Sequence, residues 1–319
     1  MRNNSIDTLK FICAILVISI HTPKPDNIWP VIDPILRCAV PIFLMLSGYF
    51  IYREDGINEK LQQRIVPMLK ILCWGALFHI GILIILEDFS IFNKVSLTSI
   101  KNLIFYNNFI FSRHLWYIHA YLYVLVIILI ANRFNFYKAL IYATPVLLAG
   151  GVILGKYHEP IFGENIDTYF SRNFLFTGLP FFIIGMVIRE KRLAQHINLK
   201  LATIGCLIFY ITGIIEAKNF KICYNSGDLY ITTAFMAFFI LMLSLNIEQR
   251  KENILSRMGR EDSLYIYIFH LIFADTMRNV ARRFEFTTYY EYIGVPIVLA
   301  ITIILIQILR KTKIIGRFI

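Results

Sequence analysis

The stretch from Leu115 to Asn132 reads LWYIHAYLYVLVIILIAN and contains 18 residues without Asp, Glu, Lys or Arg. A helix needs about 20 predominantly apolar residues to cross the hydrocarbon core of a bilayer, and about 17 are still sufficient. The whole chain has this character, because 57% of its 319 residues are hydrophobic, 17% are charged and its mean hydropathy is +0.62. This composition excludes a water-soluble globular enzyme and predicts a membrane protein.

Apolar segments of similar length recur along the whole chain, and the connections between them are short. The ninth segment is the least regular, because Asp275 and Arg278 follow an uncharged stretch of only 12 residues. The predicted fold is an all-α, polytopic helical bundle that forms a single transmembrane domain over residues 1–319, with no appended soluble domain. The ten predicted membrane-spanning helices are residues 6–20, 35–52, 66–86, 115–132, 139–155, 174–188, 201–215, 229–247, 263–280 and 292–309.

The net charge of +11 comes from basic residues that lie mostly in the short connections. If the N-terminus lies in the cytoplasm, the inner segments contain 18 Lys and Arg residues and the outer segments contain 11. This asymmetry follows the positive-inside rule and predicts that both termini are cytoplasmic, in a multi-pass protein of the cell inner (cytoplasmic) membrane. Because the basic residues do not collect in one patch or tail, no nucleic-acid partner is predicted.

The five cysteines lie in or beside apolar segments without paired spacing, so neither a disulfide framework nor a zinc site is predicted. No cluster of His, Cys and Glu has the spacing of metal ligands, and no glycine-rich loop resembles a nucleotide cradle. We therefore expect any chemistry to come from ionisable side chains on the helices.

The first predicted helix carries ionisable side chains at membrane depth, where each costs about 2.5 to 3.5 kcal/mol on insertion scales. Lys10 and His21 are 11 residues apart, so they share one helix face and lie roughly 16 Å apart along the axis. A cation and an imidazole at the two ends of one groove would suit a reaction between a cytoplasmic anionic donor and an external acceptor. The alternative is structural: Lys10 pairs with Asp7 and reaches the inner headgroups, while His21 caps the outer end.

Two further groups are candidates for contact with a substrate. Arg113 and His114 lie beside Trp116, where a sugar could stack on the indole ring and accept charged hydrogen bonds. Trp and Tyr also gather at membrane interfaces as anchors, which is the alternative for this group. His270 lies within the predicted ninth helix, and a hydrogen-bonded core histidine is the alternative there.

Five short motifs follow one another along the chain. They are KFICAILVISIH at residues 10–21, PIFLMLSGYF at 41–50, RIVP at 64–67, HLWYI at 114–118 and YIYIFH at 265–270. Together they resemble the ordered signatures of the membrane-bound acyltransferase 3 family. The resemblance extends over nearly the whole chain.

The resemblance implies transfer of an acyl group, most often acetyl from acetyl-CoA, to a hydroxyl of a cell-surface polysaccharide or lipid-linked glycan. Acyl-CoA is then a donor substrate rather than a permanently bound cofactor. The enzyme class would be an O-acetyltransferase, one of the acyltransferases that transfer groups other than amino-acyl groups. His21 is implied as the catalytic general base, because an imidazole can take the proton of the acceptor hydroxyl and return it to the departing thiolate. The predicted binding residues are Lys10 and Arg64 for the donor and Arg113, His114, Trp116 and His270 for the acceptor.

Two positions depart from the pattern of the family. Lys10 stands where arginine is usual, and Leu61 stands where the first arginine of the inner loop is usual. Lysine presents a point charge instead of the bidentate fork that suits phosphate groups. These departures favour an alternative function, a membrane transporter of a small solute such as an amino acid, and a membrane sensor or scaffold is a third hypothesis.

Overall fold

The computed structural model describes residues 3–219, 222 and 227–312 of the chain. The regular structure within these residues is helical, and they contain no strand. Their α-helices are α1 (Asn4–His21), α2 (Trp29–Leu36), α3 (Ala39–Ile51), α4 (Ile57–Glu87), α5 (Leu97–Tyr106), α6 (Trp116–Arg133), α7 (Tyr137–Ile153), α8 (His158–Phe162), α9 (Leu179–Glu190), α10 (Leu199–Asn219), α11 (Thr233–Asn246), α12 (Ile254–Glu261), α13 (Ser263–Arg283) and α14 (Thr287–Lys311).

Six of the ten predicted spans are confirmed as helical segments that are long and apolar enough to cross a membrane. Helices α7 and α11 are apolar but shorter, and the polar residues of α13, among them Asp275 and Arg278, keep it out of this set. The number of ten spans and the cytoplasmic orientation of the termini stay predictions. The six segments found in the described part of the chain are Asn4–His21, Trp29–Ile51, Ile57–Ile85, Arg113–Arg133, Leu199–Asn219 and Thr287–Lys311.

The long helices α4 and α10 present apolar side chains outward. Leu77 and Ile85 on α4 and Ile211 on α10 are exposed, although large contiguous apolar surfaces are unfavourable in water. A bilayer would cover these side chains, since lipid tails are as apolar as leucine. The outward apolar faces and the six long helices together indicate a membrane protein.

The described residues form two compact units. The first unit comprises residues 3–43, 193–219, 222 and 229–312, and the second comprises residues 44–192 and 227–228. The first unit therefore contains α1, α2 and α10 to α14, and the second contains α4 to α9.

Close packing of α12 against the N-terminal half of α1 organises the first unit. A Cβ atom at Gly259 would lie 1.7 Å from the backbone oxygen of Asp7, so a larger residue cannot occupy this position of α12 without displacing α1. The side chain of Asn3 begins α1 by accepting a hydrogen bond from the N–H of Ser5. The start of α1 is thus fixed both locally and by a neighbouring helix.

Buried polar groups in the first unit are satisfied by partners from distant parts of the sequence. The carboxylate of Asp33 is fully buried, forms an ion pair with Arg37 at 2.7 Å and accepts a hydrogen bond from the hydroxyl of Tyr230. The carboxylate of Glu216 accepts hydrogen bonds from the N–H and the hydroxyl of Thr232, just before α11. Because unpaired buried charges are costly, these contacts hold the segments around α2, α10 and α11 in register.

Two glycines allow close contact inside the second unit. A Cβ atom at Gly48 would lie 2.0 Å from the backbone oxygen of Phe182, and a Cβ atom at Gly185 would lie 1.9 Å from that of Met45. The C-terminal half of α3 therefore crosses α9 with its backbone almost in contact, as small residues permit in membrane helices. Gly48 and Gly185 are therefore packing elements of the fold.

Candidate functional site

A cavity of about 470 Å³ lies at the C-terminal end of α1, within the first unit. Residues from the end of α1 and the following segment, the last turns of α13 and the first turns of α14 enclose it. Ligand pockets for small molecules typically measure roughly 300 to 1,000 Å³, so a small organic ligand fits this space. The ionisable residues that line the cavity are His21, Lys24, Asp26, Arg278, Arg282 and Glu291.

His21 is the last residue of α1, and its half-buried side chain borders the cavity. The chain leaves the helix at Thr22, which has extended backbone angles. The last carbonyls of a helix lack partners within the helix, and Arg278 supplies one by donating a hydrogen bond to the backbone oxygen of His21. Arg278 is itself held by Asp275 through an ion pair of 3.2 Å. The helix end that carries the imidazole is therefore attached to α13.

His270 brings a second imidazole to the same place. Its side chain is fully buried, and its ring centroid lies 5.1 Å from that of His21. The Nδ1 atom of His270 is 2.9 Å from the carbonyl oxygen of Ile266 and 2.8 Å from that of Tyr267. Because carbonyl oxygens only accept hydrogen bonds, Nδ1 carries the proton in the neutral ring, and Nε2 carries the lone pair. The structure thus brings two of the predicted site residues together.

Lys24 is a further cation at the cavity. Its ammonium group donates hydrogen bonds to the hydroxyl of Thr22 at 2.6 Å and to the carbonyl oxygens of Thr22 and Pro23, both at 3.3 Å. Burial lowers the pKa of Lys24 to about 8, because desolvation disfavours its charged form. The side chain is consequently a cation near neutral pH that loses its charge under mildly alkaline conditions.

Several lining residues were not predicted as site residues from the sequence. These are Lys24, Asp26, Trp29, Arg278, Arg282, Tyr290 and Glu291. A signal for some of them was present, since Arg278 and Arg282 are four residues apart and share one face of α13. Their place beside His21 depends on which helices are neighbours, and apolar patterns do not contain that information.

Lys10, the predicted donor-binding residue of α1, forms an ion pair with Asp7. The distance between Lys10 Nζ and Asp7 Oδ1 is 3.0 Å, and Asp7 is buried. This is the contact that the structural alternative predicts for Lys10. The lining of the cavity begins at Ile20 on α1 and does not include Lys10, so the groove that joins the two ends of α1 stays a prediction.

The other predicted acceptor residues lie in the second unit. His114 is 3% exposed and Trp116 is 7% exposed, while Arg113 is exposed. The His114 ring contacts that of His79 with centroids 4.7 Å apart, and its Nδ1 atom is 3.1 Å from the hydroxyl oxygen of Ser112. In this structure the imidazole of His114 and the indole of Trp116 are enclosed by protein.

Arg64 and Leu61 occupy opposite environments on the first turns of α4. Arg64 is exposed, whereas Leu61 is fully buried in an apolar cluster with Tyr121, Leu125 and Phe182. The position at which the family usually carries an arginine is therefore part of the packed interior in this chain. Arg64 is the one arginine that this chain keeps of the two that are usual in the inner loop of the family.

No group of three or more His, Cys, Asp or Glu side chains that could hold a metal ion occurs among the described residues. The acidic, basic and imidazole side chains at the cavity are groups that can transfer protons and stabilise charge. His21 lines the cavity together with three cationic side chains, Lys24, Arg278 and Arg282, and two carboxylates, Asp26 and Glu291.

Comparisons with known proteins agree with the motifs of the sequence. A family model described as an acyltransferase domain, that of acyltransferase 3, matches residues 3–310. The serine/alanine racemase of Enterococcus gallinarum is 23% identical over 293 residues, which are 85% of this chain and 40% of the racemase. The amino-acid racemase of Enterococcus faecalis is 28% identical over 160 residues, which are 47% of this chain and 22% of that protein. The chain therefore spans less than half of the length of either relative. No solved structure matches the chain.

Proposed function

The chain belongs to the acyltransferase 3 family, and from this membership we propose that it is a membrane-bound O-acyltransferase. The proposed reaction moves an acyl group, first of all acetyl, from acyl-CoA to a hydroxyl of a cell-surface polysaccharide or lipid-linked glycan. The proposed location is the inner (cytoplasmic) membrane. The observation that supports it most is the half-buried imidazole of His21 at the edge of a charged cavity, at a helix end held by Arg278.

The proposed chemical step uses His21 as general base. The acceptor hydroxyl attacks the thioester carbonyl carbon while His21 takes the hydroxyl proton, which gives a tetrahedral oxyanion. Collapse of this intermediate breaks the C–S bond, and the imidazolium returns the proton to the thiolate, so free CoA and the O-acyl product leave. Cationic side chains at the cavity favour the oxyanion electrostatically.

His270 is proposed as a residue that positions His21 rather than as a direct acceptor contact. Its Nδ1–H group donates to backbone carbonyl oxygens of its own helix, and its ring contacts that of His21. A fixed, buried ring beside the base restricts the orientations of the base, and orientation contributes strongly to catalysis.

Donor binding is proposed for Lys10 and Arg64, each in its own unit. Lys10 shares its charge with Asp7, and Arg64 is exposed on α4. Phosphate groups of CoA are bound by such cations through charge and hydrogen bonds.

The proposal is tested by replacing His21 with Ala in the full chain, reconstituted in liposomes with labelled acetyl-CoA and isolated envelope glycan. We expect acetyl transfer to fall by about 100-fold or more, the usual contribution of a general base. His196→Ala is the matched control, because His196 is exposed in the connection between α9 and α10. Unchanged transfer in a His21→Ala protein that inserts and folds normally would contradict the proposal.

Transport of a small zwitterionic solute such as an amino acid is the second candidate function. It is favoured by the presence of both guanidinium and carboxylate groups at the cavity and by the two relatives, which are named as racemases of amino acids. Uptake of labelled serine into proteoliposomes without any CoA would support transport. Acetyl transfer without such uptake would exclude it.

A further inference from the structure

The cavity is lined by three cationic and two anionic side chains, and these side chains have different partners. Lys24, Arg278 and Arg282 contribute positive charge, and Asp26 and Glu291 contribute negative charge. Because Arg278 is paired with Asp275, the cations of the lining that remain for a ligand are Lys24 and Arg282. Such cations attract ligands that carry negative charge.

Arg278 and Arg282 have different roles because their partners differ. Arg278 is engaged by Asp275 and by the backbone oxygen of His21. Arg282 lies one turn further along α13, on the same face, and forms no ion pair with any residue that the structure describes. Its guanidinium can therefore present its fork of donors to a ligand, a geometry that matches carboxylate and phosphate groups.

The remaining lining suits a sugar ring. Trp29 lines the same cavity and is half-buried. Tyr290 also borders the cavity, but its ring is buried and its hydroxyl donates a hydrogen bond to the carbonyl oxygen of Ala274 at 3.2 Å. Aromatic faces pack on the apolar faces of sugar rings and leave the hydroxyl groups to polar partners. An anionic sugar would thus find a ring surface, an anion partner and a base in one space.

On the basis of the proposed function, we infer that the acceptor carries a carboxylate or a phosphate near the hydroxyl that is acylated, and that Arg282 binds this anionic group. The substrate class is therefore an acidic or phosphorylated sugar rather than a neutral one. His21 lines the same cavity from α1 instead of α13 and acts on the neighbouring hydroxyl.

The inference is tested by binding measurements that need no acyl transfer. Glucuronate, glucose 1-phosphate and glucose are titrated by calorimetry into the purified full chain in nanodiscs without acetyl-CoA. We expect at least one charged sugar to bind roughly tenfold or more tightly than glucose, the usual effect of a charge-assisted hydrogen-bonded pair. Glucuronate and glucose 1-phosphate separate the carboxylate from the phosphate as the recognised group.

Substitutions assign the effect to Arg282. Arg282→Gln is expected to remove the preference for the charged sugar, and Arg282→Lys is expected to keep part of it, because the charge stays while the fork is lost. Arg283→Gln is the matched control, since it removes the same charge from the adjacent exposed position outside the lining. Thermal unfolding of each variant verifies that it is folded.

The results distinguish a failure of anion recognition by Arg282 from a failure of the proposed acyl transfer. Equal binding of all three sugars, no binding of either charged sugar, or an Arg282→Gln protein with the wild-type preference would overturn the inference. If the charged sugar binds through Arg282 but no acetyl group reaches it when acetyl-CoA is added, the recognition of the anion stands and the proposed acyl transfer fails.

Discussion

Two pairs of histidine rings lie in contact among the described residues, one in each compact unit. The rings of His21 and His270 are 5.1 Å apart in the first unit, and those of His79 and His114 are 4.7 Å apart in the second. His21 of the first pair borders a charged cavity, whereas both rings of the second pair are buried, and His114 lies beside the hydroxyl of Ser112. Ring contact alone therefore does not distinguish the candidate site from a pair of histidines packed in the protein interior. The two pairs differ in their access for a ligand and in the charges beside them.

Removing the second ring from each pair tests whether the two histidine pairs differ in function. Phe has a similar shape but neither donates nor accepts, so His270→Phe leaves His21 without its fixed polar neighbour. We expect acetyl transfer to fall by roughly tenfold to 100-fold, less than for His21 itself. The transfer assay described above measures this loss.

His79→Phe is the matched control in the second unit, and we expect its transfer rate per folded molecule to stay within about threefold of wild type. Equal losses for His270→Phe and His79→Phe would mean that the two pairs do not differ as proposed. A pH profile of acetyl transfer that changes in His270→Phe but not in His79→Phe would support a functional difference between the two pairs.

A smaller effect is expected from Arg278→Lys, which tests how the first pair is positioned. Lysine keeps the charge but cannot hold Asp275 and the His21 carbonyl with two separate nitrogens. We expect kcat to fall by roughly tenfold with little change in KM for acyl-CoA, because misplacement of the base affects the chemical step. Steady-state kinetics of Arg278→Lys and of the control Arg283→Lys measure the two parameters. A rise in KM alone would show that Arg278 acts in binding.

The smallest expected effect comes from pH and Lys24. Because the pKa of Lys24 is lowered to about 8, the side chain is charged at pH 7 and mostly neutral at pH 9. We expect the affinity for an anionic sugar to fall by roughly threefold over this range, a typical value for one partly screened charge pair. Calorimetric titrations at pH 7, 8 and 9 measure the change.

The effect of pH on folding stability follows from the direction in which the pKa of Lys24 is shifted. A lowered lysine pKa means that the folded protein binds the proton less tightly than the unfolded chain, so this group favours folding more as pH rises above about 8. Weaker binding at high pH is thus not expected to come from unfolding. Lys24→Arg should abolish the pH dependence, because an arginine side chain is effectively always protonated. The other acidic and basic groups at the cavity are His21, Asp26, Arg278, Arg282 and Glu291. A persistent dependence in Lys24→Arg would contradict this explanation.

Much of the fold could be predicted from apolar runs, since each of the ten predicted segments coincides with helical structure. The start of the predicted segment 174–188 shows a local feature that apolar patterns do not predict. Asn173, just before this segment, accepts hydrogen bonds from the N–H groups of Leu175 and Phe176 and begins a π-helical turn before α9. The average apolarity of a segment does not predict such capping by a single side chain.

For the candidate site, the sequence indicated individual residues but not their arrangement. His21 and His270 were both named from the sequence, but their contact was not, because lipid and protein interior are equally apolar and do not specify which helices are neighbours. Arg278 was noticed only as an irregularity of the ninth segment. A charged residue that interrupts a predicted span is thus a useful indication of a site in a membrane bundle.

The buried Leu61 limits which residues this chain can accept at position 61. An arginine here would place a cation inside an enclosed apolar cluster, at a cost of several kcal/mol. A single Leu61→Arg substitution would therefore need compensating changes in the surrounding helices to be tolerated, so engineering a second cation beside Arg64 has to begin with those neighbours.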